Sequence, residues 1–261
     1  MNADCRNNAG SATLLATENL KIAESVAPPT LALSAGQRIG LLGVEDCGKR
    51  RLLRVLARLD RPFDGQIFWA GREVTRRPRW LLGRQRNHVV MISANPYALF
   101  HDEQTVREVL NSAAEWPSQS DSSVIAGLML PMEAQVGALS ALQRVRLALA
   151  YALTQDAKVI LVDDVFASLN PQTWPALVDD LDAVCGAHRA SVIASQYVRP
   201  VTGADCVYAM LDDRVVEFGS DILTNPQQPY TQWLVERKSL QALQRVAWDK
   251  VLRIKAPPQS S

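Results

Sequence analysis

The sequence contains no long apolar run and no C-x-x-C cysteine pair, and its charges almost balance. The longest apolar stretches, such as Val124–Met132, fall far short of the roughly 20 residues that span a bilayer, so we expect no membrane crossing. With 28 Lys and Arg against 27 Asp and Glu, no global field attracts nucleic acid. An arginine-rich stretch at residues 72–86 has Trp80 as its only aromatic, which favours a solvated surface loop over a nucleic-acid patch.

Two further absences concern the cysteines and the start of the chain. Cys5, Cys47, Cys185 and Cys206 are widely spaced, which argues against a zinc site and a disulfide framework and favours reduced structural thiols. Residues 1–12 are polar and lack the basic start and apolar centre of a secretory signal, so the expected compartment is the cytoplasm. Membrane association is therefore expected to go through a partner.

Short apolar runs alternate with stretches of helical periodicity. Arg38–Leu42, Val159–Val162 and Ser191–Ala194 have the pattern of buried strands, whereas Lys49–Leu59 and Pro175–Cys185 have the spacing of helices. This alternation builds a parallel sheet, because each parallel connection crosses over through a helix. The predicted fold class is α/β.

The sequence also predicts a small helical subdomain and a helical extension. Residues 105–116 and 139–153 have helical periodicity, and the polar stretch 117–123 between them is predicted to be a linker. Residues 207–211 and 214–218 form a predicted hairpin, and residues 230–254 are predicted to be largely helical. The predicted organisation is a loose tail at 1–12, a main domain at 13–220 with a helical subdomain at about 97–150, and a C-terminal extension at 221–261.

Residues Gly43–Arg50 (GVEDCGKR), here called the phosphate loop, match G-x-x-x-x-G-K-[ST] at every fixed position except the last. In this motif glycines let backbone N–H groups approach phosphate oxygens, the following helix contributes its positive end, and the lysine neutralises β and γ oxygens. The predicted nucleotide-binding residues of the loop are Gly43, Asp46, Cys47, Gly48, Lys49 and Arg50.

Three residues of the loop oppose that chemistry. Arg50 replaces the hydroxyl that ligates Mg²⁺, and a guanidinium offers no lone pair to a cation. Glu45 and Asp46 place carboxylates where a triphosphate would lie, and a like-charge pair at about 5 Å costs roughly 3 kcal/mol at an effective dielectric near 20. Two alternatives remain for Arg50: it replaces part of the magnesium charge, or it pairs with Asp46 and holds the loop shut without nucleotide.

Further motifs carry a resemblance to a known family. Leu139–Arg146 (LSALQRVR) resembles the LSGGQ signature of ABC transporter ATPases, and Val159–Pro171 (VILVDDVFASLNP) resembles their Walker B strand and D-loop. In order and context these motifs resemble an ABC ATP-binding subunit over residues 13–219, which implies a P-loop NTPase core with an inserted helical subdomain. Asn225–Thr231 (NPQQPYT) resembles the P-x-H-P-Y-T motif of the oligopeptide and nickel importer branch, with Gln228 in the place of its histidine.

The resemblance implies roles for particular residues. Two such subunits would clamp two ATP molecules with Mg²⁺ head to tail, each phosphate loop facing the partner's signature, so Ser140 and Gln143 are implied nucleotide contacts. Asp163 is the implied metal ligand. Asp164 and Gln196 stand where the family has its catalytic glutamate and its switch histidine.

Several of these positions depart from the family pattern. Ala141 and Leu142 replace signature glycines, and the leucine side chain would obstruct close approach to the γ-phosphate. The side chain of Asp164 is one methylene shorter than glutamate, and a displacement of roughly 1 Å can lower a rate about a hundredfold. Ala94 replaces the Q-loop glutamine, and no aromatic precedes Phe63 to stack on adenine.

Two functions follow from these motifs. The chain is predicted to be an ATP-binding subunit of a peptide or nickel/metal-chelate importer with weak or absent hydrolysis, or else a non-hydrolysing structural or regulatory subunit that no longer binds ATP. The expected partners are a second ABC ATPase subunit, in a heterodimer, and membrane-spanning permease subunits, through which the chain is expected to lie on the inner face of the cell membrane. The expected ligands are ATP and Mg²⁺, both weakened by the substitutions above.

Overall fold

The computed structural model describes residues 12–24, 30–77, 79–93, 100–112 and 119–236, and its secondary structure is mixed α/β, which confirms the predicted class. The strands within these residues are β1 (Thr13–Lys21), β2 (Ala32–Ser34), β3 (Arg38–Leu42), β4 (Asp64–Trp69), β5 (Arg72–Glu73), β6 (Val89–Ile92), β7 (Val159–Asp163), β8 (Ala190–Ser195), β9 (Cys206–Leu211) and β10 (Arg214–Gly219). The α-helices are α1 (Lys49–Leu56), α2 (Val106–Asn111), α3 (Gln119–Gly127), α4 (Ala141–Thr154), α5 (Trp174–Cys185) and α6 (Pro229–Glu236).

Two sheets form the framework. The larger has six described strands in the order β10-β9-β3-β8-β7-β6, all parallel except β10, which pairs antiparallel with β9. The smaller is antiparallel with the order β2-β1-β4-β5. Helix α1 packs into a core shared by both sheets, and α2, α4, α5 and α6 contribute to a second core on the larger sheet.

The parallel strands bring three loops to one edge. Strands β3, β8 and β7 are neighbours, so the segments that follow their carboxyl ends lie side by side, where ligands bind in open α/β sheets. The backbone N–H of Gly43 donates to the carbonyl of Ser195 at 3.3 Å, and the N–H of Asp164 donates to the carbonyl of Ala194 at 3.1 Å. The first bond fixes the start of the phosphate loop against the end of β8, and the second fixes the segment that follows β7 against the same strand.

The described part of the C-terminal extension is packed on the core. The buried carboxylate of Glu217 accepts hydrogen bonds from the backbone N–H groups of Gln227 and Gln228 at 2.7 and 3.1 Å. The Tyr230 hydroxyl of α6 donates to the carbonyl of Met210 at 2.9 Å and accepts from the N–H of Val44 at 3.2 Å. The helix is thus bonded directly to the phosphate loop.

Helices α2, α3 and α4 occupy the predicted helical region. Asp121 of α3 accepts a hydrogen bond from the Arg189 guanidinium at 2.8 Å, and both side chains are about nine-tenths buried. Arg144 of α4 is buried and donates to the carbonyls of Leu139 and Gly137 and to Asp102. Among the described helices, none is long and apolar enough to cross a membrane.

Three local predictions are wrong. The predicted linker at 117–123 overlaps α3, because residues 119–123 are helical. Residues 79–87 form a 3₁₀ helix broken at Gly83 instead of a simple loop. Cys47 and Cys185 are free thiols as expected, whereas Cys206 is disulfide-bonded. The predicted tail up to Ser11, Ala94 of the Q-loop and the extension beyond Glu236 lie outside the described residues.

Candidate functional site

A cavity of about 500 Å³ opens at the carboxyl edge of the larger sheet, over the phosphate loop. We call it the phosphate-loop cavity. Its lining consists of Glu45, Asp46, Gly48, Lys49, Arg50, Arg51, Arg54, Asp60, Asp163, Asp164, Ala167, Gln196 and Asp213. Seven of the predicted site residues, on β7 and in three different segments that follow strands, therefore meet in one place.

The two loop glycines occupy positions that exclude a side chain. A Cβ on Gly43 would lie 2.5 Å from both the Met210 carbonyl oxygen and Cys47 Sγ. Gly48 has φ +104°, and a Cβ there would lie 2.5 Å from Asp213 Oδ1. Gly48 also caps α1, whose amino end receives no side-chain cap, so its N–H groups remain suited to an anion. The loop backbone therefore fits a polyphosphate.

Lys49 lies under the loop in an arrangement that a phosphate could replace. Its side chain is buried, and Nζ donates to the carbonyl oxygens of Gly43 at 2.8 Å and Val44 at 2.6 Å. Cys47 Sγ lies 3.7 Å from the same ammonium. Burial raises the pKa of the Cys47 thiol, and Lys49 only partly opposes that shift. Cys47 is thus an inert packing group beneath the lysine.

Arg50 forms the central contact of the cavity. Its Nε donates to Asp163 Oδ2 at 2.7 Å, although the two residues are 113 positions apart. The side chain of Asp163 is 3% exposed and that of Arg50 is 63% exposed. The alternative in which Arg50 pairs with Asp46 is therefore wrong, because the carboxylate at the end of β7 is its partner.

The two other arginines of the cavity are also paired. Arg51 NH1 donates to Asp213 Oδ2 at 2.5 Å. Arg54 donates through Nε and NH2 to both oxygens of Asp60, at 2.6 and 2.8 Å. These hydrogen bonds lower the pKa of Asp60 and raise that of Arg54, because each partner stabilises the other's charge. Each of the three arginines in the cavity is thus paired with an aspartate that offsets its charge.

The predicted metal site does not fit Mg²⁺. A magnesium ion in such a site needs a serine or threonine hydroxyl and a free aspartate, but position 50 is arginine and Asp163 is bonded to it. Within the described residues no group of three or more His, Cys, Asp and Glu side chains could hold a metal ion. The phosphate loop therefore suits a polyphosphate better than it suits a metal.

Asp164 lies next to Asp163 in a strained and partly buried position. Its φ is +48°, its Oδ1 is buried, and that oxygen has no hydrogen-bond partner among the described residues. Burial raises the pKa of the Asp164 carboxyl, and Lys49 and the backbone N–H of Gln196 oppose the shift only in part. A raised pKa makes the Asp164 carboxylate a stronger base for as long as it is ionised, so this shift does not by itself exclude Asp164 as an acceptor of a proton from water.

The Asp164→Asn variant is expected to be more stable than the parent by about 1 kcal/mol at pH 7, because it removes a poorly solvated charge. Since the folded-state pKa lies above the unfolded value, the parent loses stability as the pH rises from the unfolded pKa to the folded one. The variant lacks this loss, so the difference should vanish near pH 4. Urea unfolding at both pH values measures it, with exposed Asp179→Asn as the control. Equal stability at pH 7 would contradict the prediction.

The other predicted residues separate into two groups. Gln196 lines the cavity beside Asp164, as predicted. Ser140 and Gln143 lie at the amino end of α4 and are not among the lining residues. Each bonds the other, since Ser140 Oγ accepts from the Gln143 N–H and Gln143 Oε1 accepts from the Ser140 N–H. This reciprocal arrangement is a helix capping box.

Sequence reasoning missed six contributors to the cavity and its loop, namely Arg51, Arg54, Asp60, Ala167, Asp213 and Tyr230. Arg54 lies four residues after Arg50 on α1, and this helical spacing is a signal that could have identified it. Arg51 follows Arg50 directly, but Asp213 and Tyr230 come from a hairpin turn and from the C-terminal helix. No local pattern predicts that these two approach residues 44 and 51.

Comparison with known proteins identifies the family. A family model described as ABC transporter matches residues 26–167, more than half of the chain. The methionine import ATP-binding protein MetN of Geobacillus kaustophilus is 29% identical over 221 residues, which cover 80% of this chain and 64% of that protein. The phosphonates import ATP-binding protein PhnC 1 of Rhodopseudomonas palustris is 28% identical over 220 residues, covering 75% of this chain and 80% of that protein.

The fold agrees with solved structures. The structure of cbiO1 from Clostridium perfringens, described as part of the ABC transporter complex cbiONQ, superposes with a TM-score of 0.69 at 19% identity. The superposition covers 90% of this chain and 97% of the cbiO1 chain. The chain spans 64% of the length of the methionine-import relative, so a further part of that relative has no counterpart in the match.

Proposed function

The chain belongs to the ABC transporter family, and from that premise we propose that it is the ATP-binding subunit of an ABC importer whose own site hydrolyses ATP slowly or not at all. The observation that carries the proposal is the pairing of Arg50 with Asp163 over an intact glycine and lysine loop. The loop keeps the glycines and the lysine that bind phosphate, whereas Asp163, the predicted metal ligand, is bonded to Arg50.

Binding and chemistry depend on different residues in this proposal. Lys49 would exchange its two carbonyl partners for β and γ phosphate oxygens, with the amino end of α1 beside them. Hydrolysis would require a base that holds water, and the candidates are Asp164 and Gln196. The Asp164 side chain is one methylene shorter than the family's glutamate, and a displacement of roughly 1 Å can lower a rate about a hundredfold; a neutral amide such as Gln196 cannot accept a proton at physiological pH.

The partners follow from the family architecture. We propose a heterodimer with a second ABC ATPase subunit, docked on permease subunits at the inner face of the cell membrane. Ser140 and Gln143 would then face the phosphate loop of the partner subunit. Their side chains are already hydrogen-bonded to the backbone in the capping box, and Leu142 lies beside them. We therefore expect them to add little to the binding of ATP in the partner's site.

The class of transported substrate is a finer proposal. The segment Asn225–Thr231 supports import of peptides or nickel chelates. The relatives named above are described as importers of methionine and phosphonates. The segment and these descriptions agree only on import of a small solute. We therefore propose import of a small solute and no narrower class.

Equilibrium binding of labelled ATP to the purified chain tests the proposal. We expect saturable binding, and Lys49→Ala should weaken it at least about 30-fold, because the only buried ammonium in the described cavity lining is removed. Lys158→Ala, at an ion-paired lysine outside the cavity, is the matched control and should bind as the parent does. Phosphate release by the purified chain should stay near the background rate.

The second candidate is a subunit that binds no nucleotide. The observation that favours it is the hydrogen bonding of Lys49 to its own loop, with Glu45 and Asp46 exposed at the rim. No saturable binding at millimolar ATP would select this candidate and exclude the first. Binding with rapid phosphate release, lost in Lys49→Ala, would instead mean that hydrolysis is competent.

A further inference from the structure

We propose that the phosphate-loop cavity binds its nucleotide free of magnesium, with the Arg50 guanidinium supplying the positive charge that a metal ion would bring. This inference rests on the proposed function and concerns the form of the ligand. It departs from the requirement for Mg²⁺ that the motifs of the chain would otherwise imply.

The first step is that the place of the metal is already taken by a cation. Asp163 is the only predicted metal ligand of the cavity, and its side chain is 3% exposed. Arg50 Nε lies 2.7 Å from Asp163 Oδ2, a distance typical of a charge-assisted hydrogen bond. A divalent ion would have to displace a group that does not lose its charge at any physiological pH. Mg²⁺ therefore gains little by entering.

The second step is that Arg50 keeps its donors for a ligand. It uses Nε for Asp163, and within the described part of the chain its two terminal nitrogens make no hydrogen bond. Arg54, in contrast, spends Nε and NH2 on Asp60. Because Arg50 is 63% exposed and lines the cavity, its terminal fork can bind two oxygens of one phosphate.

The third step concerns the total charge of the cavity. Lys49, Arg50, Arg51 and Arg54 oppose six carboxylates in the lining. Three of those carboxylates, Asp60, Asp163 and Asp213, are paired with the arginines.

The remaining carboxylates include Glu45 and Asp46, which are exposed, so solvent screens their repulsion of a polyphosphate. Asp164 is the third. The lining therefore has two more carboxylates than cations, and Lys49 and the Arg50 guanidinium, which would contact the phosphates directly, supply the positive charge for a nucleotide that brings no metal.

The test compares binding of labelled ATP in excess EDTA and in millimolar Mg²⁺. For the parent chain we expect dissociation constants that agree within about twofold. Arg50→Ser restores a metal-ligating hydroxyl and frees Asp163, so it should bind at least about tenfold more weakly in EDTA and regain most of that loss with Mg²⁺. Arg50→Met, with neither charge nor hydroxyl, should bind weakly in both solutions.

Controls and contrary results are distinct from those of the proposed function. Arg107→Ser, at an exposed arginine of α2 that pairs with Glu133, should bind as the parent does. Circular dichroism melts of each variant test whether the loop change leaves the fold intact. Parent binding at least tenfold tighter in Mg²⁺ would overturn the inference and leave the proposed function standing, whereas no binding in either solution would overturn both.

Discussion

Replacing Asp121 by alanine is expected to lower the free energy of unfolding by about 3 kcal/mol, because it leaves the buried charge of Arg189 with only the exposed Asp156 carboxylate, 4.0 Å away, as a counter-ion. The Arg189 NH2 group lies 2.8 Å from Asp121 Oδ2, with side-chain exposures of 10% and 9%. Arg189 also donates to the carbonyls of Ala157 and Val184, so it is held in place and cannot turn to solvent. It cannot discharge by losing a proton either.

Urea unfolding of the two proteins measures this loss. The matched control is Glu133→Ala, which removes an exposed ion pair with Arg107 and should change the free energy of unfolding by less than about 1 kcal/mol. The double variant Asp121→Leu with Arg189→Met should recover much of the loss, since it removes both charges. If Asp121→Ala were no more damaging than Glu133→Ala, the buried pair would not hold α3 to the core.

Replacing Gly48 by alanine is expected to lower the free energy of unfolding by about 3 kcal/mol or more. The backbone at φ +104° is unfavourable for any residue with a Cβ. The added methyl would also lie 2.5 Å from Asp213 Oδ1 and 2.8 Å from Asp213 Cα, so the hairpin backbone would have to move. That movement breaks the bond from the Asp213 N–H to the Cys47 carbonyl and the ion pair with Arg51.

Gly71→Ala separates the two causes. Gly71 has φ +74°, but a Cβ there would have no heavy atom within 4 Å, so it should cost only about 1 kcal/mol for the backbone. Thermal or urea unfolding of the two variants gives the difference. An equal loss in both would mean that Asp213 moves aside freely and that steric contact at the loop is unimportant.

Much of the fold follows from periodicity in the sequence. Strand β3 has the predicted limits, Arg38 to Leu42, because its apolar run is short and stops at a glycine. The sequence does not predict α3, because four of its first five residues are serine or aspartate, which are weaker helix formers than alanine or leucine. Its helical form is instead supported by a contact distant in sequence, the ion pair from Asp121 to Arg189. Tertiary contacts of this kind override local propensity.

The sequence likewise predicts some contacts of the candidate site and not others. Motif order predicts that Lys49, Asp163 and Gln196 meet, because each follows or ends a parallel strand and those carboxyl ends share an edge. The sequence leaves two roles open for Arg50, replacing part of the magnesium charge or pairing with Asp46, because sequence distance does not reveal which carboxylate lies nearer. The bond from the Val44 N–H to the Tyr230 hydroxyl depends on how α6 packs, and that packing is set by its buried surface.

The capping box at Ser140 and Gln143 shows that a signature residue can be retained for two different reasons, nucleotide binding and helix stability. Their mutual hydrogen bonds stabilise the start of α4, so both residues contribute to the stability of the fold whether or not they contact a phosphate. Ala141 and Leu142 stand in the first turn of the same helix, where glycine would be less favourable by roughly 0.5–1 kcal/mol. A lineage released from ATP turnover would drift toward this pattern, keeping the cap and shedding the glycines. Persistence of a motif residue is thus no measure of activity where folding alone can retain it.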